Sequence, residues 1–187
     1  MNNDLKRRID AMRARLDGRA PVAEIHVSSQ VFVTPEPVCR RLVAPAGVTD
    51  ADDVLEPEAG TGAILRAIRE AAPLARCDAV ELNGELFQGL RRTFPDVCVI
   101  NADFLQYQSD TRYSKILMNP PFHRGQDIRH IRQALTLLKP GGVLTGVCLN
   151  GPRQQNALRP LADIWEPLPR GTFTYTDVAT AIVRIAV

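Results

Sequence analysis

Long apolar runs are missing from this 187-residue chain: although 45% of its residues are hydrophobic, none of its stretches reaches the roughly 18 uninterrupted apolar residues of a membrane span. The N-terminus is charged and lacks the apolar core of a signal peptide, so a cytoplasmic protein with no membrane partner is expected. Cysteine is sparse. Cys39, Cys77, Cys98 and Cys148 are widely spaced, with no CxxC pair and no Cys/His cluster, which argues against a metal site and for reduced thiols buried in apolar segments. Length is also limiting: the chain fits one globular α/β-sized domain and has no room for a second full one. Nor is there a bulk charge of one sign, since the net charge is only +2.

Locally the charge is lopsided. Residues 50–85 hold nine acids against three arginines, whereas residues 123–159 hold six cations against one acid, Asp127. The first stretch suits a cation and the second a polyanion, or both are ordinary solvated helix faces until they are placed in space.

Residues 3–16 carry Leu5, Ile9, Met12 and Leu16 at helical spacing, with Lys6, Arg7, Arg8, Arg13 and Arg15 between them. This predicts an amphipathic helix ending at Gly18, able to pack on the domain, contact phosphates or mediate self-association. Residues 1–29 therefore read as a helix and linker ahead of a single domain over 30–187. Thr34 is placed to cap a helix with Pro35 at its first position, and Val38, Leu42 and Val43 follow on a helical pattern. Residues 53–57 read as a strand, and Glu58-Ala59-Gly60-Thr61-Gly62 as a tight turn into a helix over 63–72, where glycines let backbone approach a ligand. A dinucleotide fingerprint would want a third glycine where Leu65 stands, so a nicotinamide cofactor is disfavoured. Strands at 77–82 and 97–100 end in acids. Glu81 lies where a carboxylate accepts ribose hydroxyls, and Asp103, with Phe104 lining the ring, could accept from an adenine amino group. Simple solvent exposure at strand ends is the other reading of both acids.

The apolar run 115–118 stops at Asn119-Pro120-Pro121-Phe122. Both Asn119 and Pro120 precede a proline and are held extended, and neither proline has an N–H, so the Asn119 amide and the Pro120 carbonyl are fixed acceptors. Two acceptors beside one ring suit a planar amine. Its lone pair is delocalised into the π system, and hydrogen bonds from both hydrogens push the nitrogen toward tetrahedral, while Phe122 stacks on the ring. A proline-rich turn with a packed Phe also explains these four residues.

The ordered set Phe32-x-Thr34-Pro35, Glu56-Pro57-x-x-Gly60-x-Gly62, Glu81, Asp103 and Asn119-Pro120-Pro121-Phe122 resembles the class I S-adenosylmethionine-dependent methyltransferases that modify exocyclic or amide nitrogens. Within them it is most similar to the γ-ordered adenine-N6 DNA methyltransferases, in which a Phe-x-Thr-Pro segment precedes the glycine motif. The resemblance runs from about residue 30 to 150. It implies an α/β Rossmann-like fold with a mostly parallel seven-stranded sheet and an antiparallel closing strand. It also implies S-adenosyl-L-methionine as cofactor, with Thr34 and Glu56 near its methionine portion, Gly60 and Gly62 beneath it, and Pro35 and Pro57 among the cofactor-binding residues. Glu81 would then lie at the ribose, and Asp103 and Phe104 at the adenine, with Leu82 a further cofactor-binding residue. Asn119, Pro120, Pro121 and Phe122 become the catalytic residues that hold the acceptor. Glu58 departs from the pattern, since many relatives have a small or neutral residue there; a carboxylate could attract the cofactor's cationic groups or repel its carboxylate.

Further on, Ile128, Ile131, Ala134, Leu135 and Leu138 predict a helix over 127–139 stopped at Pro140-Gly141-Gly142, then a strand at 143–149, a helix at 152–161 and strands at 164–168 and 178–185. Phe173 and Tyr175 sit either on a loop available for base stacking or packed in a hairpin. His123 and Arg124 are candidate substrate contacts, and His123 and His130, without an evident catalytic partner, read as phosphate contacts or surface residues. The resulting expectation is an enzyme that methylates an exocyclic amino nitrogen in nucleic acid, with adenine-N6 in DNA placed first. RNA guanine-N2 or adenine-N6 comes second, because Asn119-Pro120-Pro121-Phe122-His123 also resembles the guanine-N2 methyltransferases of ribosomal RNA. Protein glutamine methylation ranks third, and a non-catalytic nucleic-acid-binding module is the reading from another class. With no separate recognition domain, short loops, the basic segment, the N-terminal helix, a partner protein or self-association would have to select the target.

Overall fold

Short aliphatic runs, each closed by a proline, a glycine turn or a polar residue, become the strands of one sheet. The computed structural model describes residues 33–173 and 177–187; the expected helix at 3–16, Phe32 and Tyr175 lie outside the described residues. In chain order the elements are helix Glu36–Ala46 (α1), strand Asp53–Pro57 (β1), helix Ala63–Ala71 (α2), strand Arg76–Glu81 (β2) and helix Gly84–Thr93 (α3). Strand Cys98–Asn101 (β3), strand Tyr113–Met118 (β4), helix Gln126–Leu135 (α4) and strand Leu138–Leu149 (β5) follow. Helix Pro152–Leu158 (α5), strand Ile164–Pro167 (β6) and strand Thr180–Ala186 (β7) are the last of the α-helices and strands among the described residues. None of the described helices is long and apolar enough to cross a membrane.

The seven strands run in the order β3-β2-β1-β4-β5-β7-β6. Strands β1 to β5 pair in parallel, while β7 lies antiparallel between β5 and β6. This is the α/β Rossmann-like sheet that the motif order implies. The interior strands are apolar on both faces because helices cover both. Val54, Leu117 and Ile182 point into one core with residues of α1, α2 and α3; Leu55, Ile116, Met118 and Val183 point into the other with residues of α4 and α5. Between β1 and β4 the direction of strand succession reverses, which opens a crevice at the strands' carboxyl ends.

Several boundaries move. The helix α3 was not anticipated from the sequence, although Asn83 caps it by accepting from the Glu85 and Leu86 amides. Only Leu90 within it is fully buried, so its apolar stripe is thin. The helix expected to reach residue 139 ends at Leu135, and β5 begins at Leu138, where Leu138 pairs with Tyr113 before the register shifts. Leu138 satisfies a helical period and a strand equally, and sheet pairing decides. Cys98 is exposed rather than buried; all four thiols are free. Asp127, the lone acid of the basic stretch, is fully buried and anchors α4 to the end of β5 by accepting from the Leu149 amide and from Gln154 Nε2.

Candidate active site

The acids of residues 50–85 divide once folded. Asp52 and Asp53 receive hydrogen bonds from Ser114 and Lys139, and Asp78 accepts from the Tyr113 hydroxyl at 2.8 Å, all within the sheet's supporting structure. Glu56 at the end of β1, Glu58 just beyond it and Glu81 at the end of β2 gather instead at the crevice, with Asp103 following β3.

The glycine turn holds them. Gly60 and Gly62 adopt φ of 56° and 76°, where L side chains are strained. The Gly60 amide donates to Glu81 Oε2 at 2.7 Å, and the Asn83 amide donates to Glu81 Oε1 at 2.7 Å, so this carboxylate clamps the loop after β1 to the one after β2. Asn101 Nδ2 braces the same corner through the carbonyls of Glu81 and Leu82. Asp103 accepts from the Leu105 amide and from Gln106 Nε2, which turns the chain after β3. Both acids therefore build loops, and the bare solvent-exposed reading of Glu81 does not hold, since it is buried.

Glu56 is 2% exposed, and its Oε2 has no hydrogen-bond partner among the described residues. Burial above all, with Glu58 and Glu81 adding, pushes its carboxyl well above the usual range, against the Leu65 amide and Arg66. Leu82 is 66% exposed at the rim. Phe104, expected to line a ligand ring, is instead a core residue at 2% exposure, stacked on Tyr107 with ring centroids 6.3 Å apart. The open apolar group at that rim is Leu82.

On the other side of β1, β4 ends at Asn119. Thr34 is not the helix cap expected of it. Pro35 occupies the N-cap and α1 starts at Glu36, with Pro37 in its first turn. The Thr34 hydroxyl accepts from Asn119 Nδ2 at 3.0 Å, which leaves Asn119 Oδ1 buried and without a partner among the described residues. Pro120 is buried, Pro121 and Phe122 are half-buried, and Arg124 sits at φ 53°. Phe122 meets Phe173 edge-on at 6.2 Å and 75°. Phe173 is 2% exposed, so of the two roles open to it the structure gives packing behind Phe122 and not a free stacking face. His123 and Arg124 are exposed in the loop that follows Phe122.

His130 is neither the phosphate contact nor the surface residue that the sequence suggests. It is 5% exposed and hydrogen-bonds Glu58 through Nδ1. A signal existed: residues 127, 130, 131 and 134 share one face of a helix, and that face is the buried one. No comparable signal pairs His130 with Glu58.

The methyltransferase small domain family model matches residues 40–165 of the chain. Among curated proteins, the chain is 36% identical over 97 residues to ribosomal RNA small subunit methyltransferase A of Chlorobium phaeobacteroides (strain BS1), covering 50% of this chain and 36% of that protein. It is 33% identical over 83 residues to the tRNA1(Val) (adenine(37)-N6)-methyltransferase of Dyadobacter fermentans, covering 41% of this chain and 35% of that protein. The chain thus spans about a third of these relatives' length. Among solved structures, an RNA methyltransferase from Salinibacter ruber in complex with S-adenosyl-L-homocysteine shares the fold at a TM-score of 0.62 and 18% identity, over 83% of this chain and 93% of that one.

Proposed function

From the premise that the chain belongs to the methyltransferase small domain family, with S-adenosylmethionine as its cofactor, we propose that it methylates the N6 amino group of an adenine in RNA. The observation that carries the acceptor assignment is Asn119: its Nδ2 is committed to Thr34, and its buried Oδ1 is free to accept from a planar amine. With the Pro120 carbonyl as second acceptor, both amine hydrogens are held, the lone pair is drawn out of conjugation, and Phe122 offers a face to the base.

The residues present fit the cofactor. A Cβ on Gly60 would meet nothing nearer than 3.9 Å, so open backbone faces the crevice, Glu56 has a spare buried acceptor, and Leu82 offers an exposed apolar platform. Glu56, Gly60, Gly62, Glu81, Leu82 and Asp103 would hold it. Bound there, S-adenosylmethionine supplies an electrophilic methyl group on a sulfonium. The chain's own part is to orient the amine in line and exclude water.

Ribosomal and transfer RNA are named in the relatives, and this favours RNA over the DNA that the motif order placed first. His123 and Arg124 beside the acceptor loop, with exposed Arg129, Arg132 and Arg153 on α4 and α5, suit a phosphate backbone. DNA remains the second reading, because Thr34 and Asn119 join the two segments on which the γ-ordered resemblance rests. Incubating the protein with radiolabelled S-adenosylmethionine and separate RNA, DNA and protein pools, followed by nucleoside analysis, decides. N6-methyladenosine in RNA is the expected product; N6-methyladenine in DNA alone would make the second reading right.

A further inference from the structure

Glu58 is one of two non-glycine residues at positive φ among those described, at 52°. It stands in the cofactor loop itself, two residues before Gly60, in a conformation that persists only where neighbours over-determine it. Three hydrogen bonds do so. The Ala59 amide donates to the Val80 carbonyl at 3.1 Å, the Gly60 amide to Glu81 Oε2 at 2.7 Å, and Glu58 Oε1 meets His130 Nδ1. The first two tie the loop to β2, next to β1. The third reaches across to α4, the helix that starts directly after the acceptor segment.

The surroundings of Glu58 are hostile to a carboxylate. Its Oε2 is buried without a partner among the described residues, and the negative charges of Glu81 and Asp103 act on it, as its own acts on Glu56. Burial first, then Glu81 and Asp103, raise its pKa, and His130 opposes them through both its hydrogen bond and its charge. His130 is itself fixed, on the buried face of α4 with its ring centroid 6.0 Å from that of Phe104.

We propose that His130 is a positioning residue for the cofactor: acting through Glu58, it holds the loop after β1 in its left-handed turn, and so a residue on the acceptor side of the crevice sets cofactor affinity. The proposal rests on the family's cofactor and not on the choice of RNA, so it stands or falls independently of the nucleic-acid assay.

Calorimetric titration of the full chain with S-adenosylmethionine tests it, with the melting temperature of each variant checked beforehand. His130→Leu should weaken binding by about tenfold, the size of effect expected when a buried acceptor loses its donor. The KM for cofactor should rise in parallel while kcat stays within about twofold. His130→Asn keeps an N–H donor close to the position of Nδ1 and should recover affinity to within about threefold of the parent. In a Glu58→Gly background, where glycine adopts the turn unaided, His130→Leu should change affinity by less than about twofold. Equal losses for His130→Leu and His130→Asn, an undiminished loss in the Glu58→Gly background, or a fall in kcat with unchanged KM would overturn the assignment. Should His130→Leu not fold, Glu58→Gln and Glu58→Ala decide. Gln retains an acceptor for Nδ1 and should bind within about threefold, Ala about tenfold more weakly, and equal affinities refute the proposal.

Discussion

The side-chain amide of Asn119 donates to the Thr34 hydroxyl at 3.0 Å, joining segments 85 residues apart. That bond decides which end of the amide faces the crevice. Thr34→Val keeps the shape but removes the acceptor, so Nδ2 loses its partner and the amide its orientation. Removing a buried hydrogen-bond partner costs about 1–3 kcal/mol. An equivalent drop, about 5- to 150-fold, is expected in kcat/KM for the nucleic acid, with cofactor affinity nearly unchanged and Thr34→Ser restoring activity. Steady-state kinetics beside calorimetry reads both.

Phe122 and Phe173 touch but should fail differently. Phe122→Ala removes a stacking face worth roughly 1–3 kcal/mol and should weaken turnover more than cofactor binding. Equal loss of both would retire its acceptor role. Phe173→Ala opens a cavity in the core behind it, and a loss of about 3–5 kcal/mol should show as a lowered melting temperature before any kinetic effect is interpreted.

The two glycines of the loop after β1 also part company. A Cβ on Gly62 would lie 2.4 Å from Phe94 Cε2 and 2.9 Å from Leu90 Cδ2, whereas at Gly60 the nearest atom is 3.9 Å away. Gly62→Ala adds overpacking of about 1–3 kcal/mol to its backbone strain, while Gly60→Ala carries the strain alone, about 1–2 kcal/mol. Thermal melts without cofactor should rank Gly62→Ala as the less stable; the opposite order would contradict the packing described.

Glu56 gives the stability a pH dependence. Its folded pKa lies above the unfolded value of 4.5, so between the two the folded chain binds more protons than the unfolded one. Stability from this group is therefore lost as pH rises from about 4.5 through the folded pKa. Glu56→Gln should melt higher than the parent at neutral pH, with the advantage shrinking toward pH 4.5, and should bind S-adenosylmethionine more weakly. Melting curves across a pH series would show this narrowing gap or its absence.

If the exposed face of α4 and α5 meets phosphates, Arg129→Ala and Arg153→Ala should each weaken RNA binding across sequences alike and reduce the salt dependence by about one unit of slope. Filter binding at several salt concentrations measures this. A changed sequence preference with an unchanged slope would assign these arginines to base contacts instead.

Much of the site was legible in the sequence because its constraints are local. Prolines at 120 and 121 restrict their own and the preceding backbone, and Gly60 and Gly62 supply turns that a side chain would strain. Short apolar runs and helical patterns likewise located the described strands and most of the described helices. The helix at 84–93 escaped because a single fully buried residue makes a weak stripe, and the end of α4 was misjudged because Leu138 fits two periods.

What the residues by themselves determined is the set of conformations and chemical groups: strand ends, a glycine turn, acids, and an amide locked before two prolines. What only the tertiary structure decided is which groups spend their hydrogen bonds on one another. Thr34 on Asn119, Glu81 on Gly60, His130 on Glu58 and Phe173 behind Phe122 are contacts between elements that the sheet order brings together. Such pairings depend on relative placement in space, which no local periodicity encodes. Glu56 Oε2 and Glu58 Oε2 on one side of the crevice, and Asn119 Oδ1 on the other, stay buried acceptors without partners among the described residues.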